Sequence, residues 1–139
     1  MSLTDEVVAL HAGRPHPAAL VGEFRRAAVL VPLDERGGLL TVSFGGVWWV
    51  HAFTDEAALA RFTGGAGAEY LTVLGARLLD VVVPGVGEPA GVALDVGGER
   101  PALFPPVAGI VPDAATVDAA TVDAAVSDAA VSDVAGGRP

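Results

Sequence analysis

The sequence predicts an α+β fold: a mixed, largely antiparallel sheet of about five strands with helices mainly on one face, followed by a disordered C-terminal tail. Three observations carry that expectation. Short apolar runs bounded by Gly and Pro recur through the body, as strands do. Amphipathic stretches with acidic starts interrupt them without the regular alternation of βαβ units. From Asp113 the pattern changes to DAATV DAATV DAAVS DAAVS, which offers no Leu or aromatic residue to bury. The expected organisation is a single α/β domain over residues 1–112 and a pentapeptide-repeat tail over 113–139.

The elements follow in order. Ser2 is placed to cap a first helix, with Asp5 and Glu6 at its positive end, Leu3, Val7 and Leu10 on one face and Gly13 as its stop. Pro17 suits the first turn of a second helix, whose apolar stripe is Leu20, Val21 and Phe24 and whose last turn holds Arg25 and Arg26. Ala27 to Leu33 reads as a strand ended by Pro32 and the turn DERGG. Leu39 to Phe44 and Val47 to Phe53 flank Gly45-Gly46, a hairpin signal. In FTDEAALARF, Thr54 is the expected cap, Asp55 and Glu56 fill the acidic first turn, and Phe53, Leu59 and Phe62 are core. The glycines at 64, 65 and 67 end that helix. Tyr70 to Leu74 is another strand. Ala76 to Val83 fits a short helix or, at its Val-rich end, a strand, closed by Pro84-Gly85. Val92 to Val96 is the last strand, and Pro101 to Pro112 is read as an extended cover.

The tail's five-residue period fits no buried face. Aspartates at 113, 118, 123, 128 and 133 step by about 140° around a helix and scatter over it. A pentapeptide β-helix would hold a large apolar residue at one fixed position, whereas here Val shifts register.

Composition narrows function mainly by exclusion. With no cysteine, disulfides, thiolate metal sites and thiol nucleophiles are ruled out. With no lysine, Schiff-base chemistry and a Walker-type phosphate clamp are ruled out as well. The absence of Lys, Asn and Gln beside arginine-only basicity matches codon bias in a GC-rich bacterial genome. A net charge of −9 without a basic patch argues against nucleic acid and anionic membrane surfaces. No apolar run approaches the ~20 residues of a membrane span, and the opening MSLTDEVVAL lacks a positive n-region. The expected location is the cytoplasm.

Candidate reagents are few. His51 shares a strand face with Trp49 and Phe53, where it is either a general base or a buried, hydrogen-bonded histidine; the latter is favoured. His11 and His16 flank Gly13 and Pro15 and share no helix face, so a metal site there would need a carboxylate such as Asp34 or Asp95. Ser43 lacks a nucleophile-elbow setting, and Asp34-Glu35 and Asp55-Glu56 fit turn and cap roles. No catalytic residue, metal or cofactor is expected. Trp48 and Trp49 point to opposite faces, so one is exposed if the sheet is covered on one side only, and an exposed Trp is an anchor for a protein partner.

The stretches VLVPLD, VHAFTDEAALARF, YLTVLGARLLDVVVPG and GVALDVGGERPALFPP resemble the SseB N-terminal domain family from about Leu20 to Pro106. The most specific piece is Phe53-Thr54-Asp55-Glu56 with Leu59; Asp95-Val96 departs from the family's usual Asn-Pro. The resemblance implies a domain without agreed catalytic residues, so no site transfers from it. The resulting expectation is a non-catalytic interaction or regulatory module rather than an enzyme. The alternative is a small-molecule sensor or weak hydrolase using a cleft near His51.

Overall fold

The computed structural model describes residues 2–44, 46–64 and 69–117; of the tail expected over 113–139, residues 118–139 lie outside the described residues. The fold is α+β, with two sheets among the described residues. Helix α1 (Leu3–His11) starts at a capping box in which Ser2 Oγ accepts from Asp5 N–H and Asp5 accepts from Ser2 N–H. Gly13, at φ 78°, turns the chain toward α2 (Pro17–Arg26), where Pro17 begins the first turn. Strand β1 (Ala28–Pro32) pairs antiparallel with β4 (Tyr70–Leu74). The second sheet has the order β2 (Thr41–Phe44), β3 (Val47–Ala52), β5 (Ala90–Leu94), β6 (Ala102–Phe104). Its β3–β5 pair is parallel and the others are antiparallel.

The expected mixed sheet of about five strands is present as six strands among the described residues, divided between two sheets. β1 meets the larger sheet at a single bridge, Leu30 to Phe53, because β3 ends at Ala52 and the chain turns away into α3 (Glu56–Thr63). The additional strand, β6, lies within the Pro-rich stretch read as an extended cover.

The main core lies on the face of the large sheet that carries Val50, Ala52, Val92, Leu94, Ala102 and Phe104. Leu3 and Val7 of α1, Leu20 and Phe24 of α2, Val29 and Val31 of β1, and Leu78, Leu79 and Val83 pack onto it. Phe24 stacks on Phe104 with ring centroids 4.3 Å apart. Burying a side chain of this size contributes about 1.5–3 kcal/mol. The opposite face carries Val47, Trp49 and Ala93, and α3 lies on that side, with Phe62 against His51 and Phe53. Helices are therefore mainly, not wholly, on one face.

Residues 75–85 are helical throughout, including the Val-rich end. They run as α4 (Gly75–Arg77), a π turn (Leu78–Val82) and α5 (Val83–Gly85). The π turn closes with Val83 N–H on the Leu78 carbonyl, directly ahead of Pro84, which has no N–H to continue an α register. Pro84 thus lies inside the helical stretch rather than ending it. Gly75 packs so closely on Phe24 that a Cβ would overlap the Phe24 carbonyl.

The first residues of the repeat segment are ordered against the body. Asp113–Ala115 form a 3-10 turn, and Val117 N–H donates to the Pro106 carbonyl at 3.0 Å.

Candidate functional site

Parallel neighbours β3 and β5 end side by side, and at or just beyond their carboxyl ends lie four polar side chains, His51, Thr54, Asp55 and Asp95. Ligands in parallel sheets gather at such ends, so these residues are the first candidates for chemistry.

Asp95 follows β5 at φ 55°, the one non-glycine residue with positive φ among those described. Aspartate tolerates this left-handed conformation better than most residues because its short side chain bonds locally. Here the bonds reach across the sheet end. Oδ1 accepts from Thr54 N–H at 2.9 Å, and Oδ2 accepts from Thr54 Oγ1–H at 2.9 Å. Burial raises the Asp95 carboxyl above its ordinary range, and the two Thr54 bonds oppose that shift; Asp55 adds to it and Arg61 subtracts. Gly97, at φ 86°, and a Gly98 N–H bond to the Asp95 carbonyl complete the turn.

Thr54 was expected to cap α3, and Asp55 does so instead. Its carboxylate accepts from Ala58 N–H at 2.8 Å, and the helix begins at Glu56. Both residues favour caps, but the Thr54 side chain is already committed to Asp95. Phe53 is fully buried and Leu59 nearly so, as core residues. Glu56 occupies the first turn.

His51 is buried, with Nδ1 in hydrogen-bond contact with the Trp49 carbonyl at 3.2 Å and the ring against Phe62, centroids 5.3 Å apart. Trp49 is also buried, lying across Gly91, where a Cβ would come within 2.8 Å of its Cζ3. Its Nε1 has no hydrogen-bond partner among the described residues. Trp48 is half-buried against the main core. Both faces of the sheet are covered here, and of the two expected anchors Trp48 is the one left partly exposed.

The remaining candidates are dispersed. His11 Nε2 contacts the Pro101 carbonyl at 2.7 Å, and His16 Nδ1 contacts Glu6 Oε1 at 3.3 Å. Glu6 itself is buried, which its place in an acidic first turn did not foretell. Asp34 accepts from the N–H groups of Arg36 and Gly38 within its own turn. Ser43 is exposed on β2. Among the described residues, no group of three or more His, Cys, Asp or Glu could hold a metal ion. Among them, too, no helix is long and apolar enough to cross a membrane.

A small α+β domain whose sheet end is closed by an internal carboxylate bracket is the class that this architecture defines. The family model for the SseB protein N-terminal domain matches residues 3–108, and the chain belongs to that family. No curated protein and no solved structure matches it.

Proposed function

We propose that this SseB-family domain is a non-catalytic interaction or regulatory module. The observation that carries the reading is the bracket between Asp95 and Thr54. At the sheet end where a parallel pair would present reagents, the carboxylate is occupied by one backbone and one side-chain donor. Asp55 is likewise occupied as the α3 cap, and His51 is buried against Trp49 and Phe62. A general base or nucleophile needs reach to a substrate atom, and each of these groups already holds a partner within the domain. Of the two tryptophans Trp49 is buried and Trp48 keeps partial exposure, so Trp48 is the candidate anchor for a protein partner of such a module. A thermal-shift screen of the full chain and its His51→Ala variant against common metabolites tests the reading. No ligand should give a shift that depends on His51; one that stabilises the wild type and not the variant would overturn it in favour of a sensor or hydrolase.

A further inference from the structure

Among the described residues, four of the five exposed large apolar side chains, Tyr70, Leu71, Leu74 and Val81, fall on β4 and the helical stretch after it. β4 is the outer strand of its sheet, paired on one side only with β1. Sheet edges are ordinarily blunted by charge, proline, a bulge or shortness. β6 is three residues long, and β2 carries none of the most exposed apolar side chains. β4 has five residues, YLTVL, with no charge and no proline.

Its pairing with β1 fixes which backbone groups face outward. Leu33 N–H donates to the Glu69 carbonyl, and Gly75 N–H donates to the Ala27 carbonyl. Residues 69, 71, 73 and 75 therefore direct their N–H and C=O toward β1. By alternation, Tyr70, Thr72 and Leu74 direct theirs to the open edge, where no partner occurs among the described residues.

We infer that β4 is a self-pairing edge, and that its occupant is β4 of a second copy of this chain, antiparallel about a two-fold axis at Thr72. This goes beyond the non-catalytic reading and does not depend on it. The strand is self-complementary in that register. Thr72 faces Thr72, and Tyr70 faces Leu74 of the other copy, each facing pair exchanging both backbone bonds. On the other face Leu71 meets Val73, so the apolar side chains on both faces gain cross-strand neighbours. Glu69 precedes the strand and Arg77 follows it, so antiparallel pairing brings the acid of each copy toward the arginine end of the other. An isologous interface requires this kind of self-matching. The paired residues themselves carry no charge, although Glu56 is hydrogen-bonded to the Tyr70 side chain.

Sedimentation of the full chain over a range of concentrations tests the inference. The wild type should form a dimer in a concentration-dependent manner. Thr72→Pro removes only an outward N–H, so the β1 ladder should survive, with a native circular dichroism spectrum and loss of the dimer. Leu74→Glu should also give a folded monomer. Adding Tyr70→Arg to Leu74→Glu should restore the dimer, since the arginine then faces the new carboxylate across the two-fold axis. A wild type that stays monomeric at all concentrations would overturn the inference while leaving the proposed function standing. So would a dimer that persists in folded Thr72→Pro, or a double variant that remains monomeric.

Discussion

Asp95 holds Thr54 by two hydrogen bonds, accepting one from its backbone N–H and one from its hydroxyl, each 2.9 Å long. The two residues are 41 apart in sequence and meet because β3 and β5 run parallel and end together. The bracket fixes the turn that leads from β3 into α3, and it draws the carboxylate into the body of the domain.

Raising the pH through the acid range should cost stability at Asp95. Burial places the folded-state pKa above the ordinary value of 3.8, so the folded protein holds that proton more tightly than the unfolded chain. The contribution is fully present below the unfolded value and is lost as pH rises through the folded one. Asp95→Asn should remove this dependence, because asparagine is neutral and tolerates positive φ. Urea unfolding of both proteins at several acid pH values checks it. Wild-type stability should fall relative to the variant as the carboxyl ionises.

Asp80 should act with the opposite sign. Its bidentate contact with Arg25, at 2.7 and 3.0 Å, ties the π turn to α2 and lowers the carboxyl's pKa. Its contribution is present above the ordinary carboxylate value and lost as pH falls through the folded one. Both side chains are more than a third exposed, so Asp80→Asn should cost no more than about 1 kcal/mol at neutral pH.

Gly75 and Gly85 separate crowding from helix propensity. A Cβ at Gly75 would overlap the Phe24 carbonyl, whereas one at Gly85 meets nothing within 4 Å. Gly75→Ala should destabilise by about 1–3 kcal/mol or more. Gly85→Ala should be neutral or mildly stabilising. Chemical denaturation of the two variants distinguishes them.

Truncation should locate where the folded body stops. Ending the chain after Pro112 removes the 3-10 turn, the Val117 bond to Pro106 and the contact of Ala115 with the main core. The melting temperature should fall by a few degrees. Ending it after Val117 keeps all three and should leave the melting temperature unchanged.

Local chemistry made much of the fold legible. Ser2, Pro17, Gly64 and the strand YLTVL each act through their immediate neighbours, and each sits where periodicity and capping rules place it. What escaped depended on distant partners. Thr54 and Asp55 are both good caps in isolation, and only the arrival of Asp95 across the parallel pair decides between them. The burial of Glu6 is set by packing between elements, where an acidic first turn gives no hint of it. Trp48 and Trp49 alternate as a strand requires, but that both faces are covered follows from α1, α2 and β1 on one side and α3 on the other. The split into two sheets left no mark in the sequence, because β1 reads the same whichever strand it pairs with.

A double-mutant cycle on Thr54→Val and Asp95→Ala, read by chemical denaturation, tests most directly whether the carboxylate is scaffolding. Asp95→Ala should cost about 2 kcal/mol, since it strands a Thr54 donor and leaves alanine at positive φ. The two substitutions should couple by about 0.5–1.5 kcal/mol. Unchanged stability in both single variants, with no coupling, would show Asp95 to be free for chemistry and would contradict the structural role assigned to it.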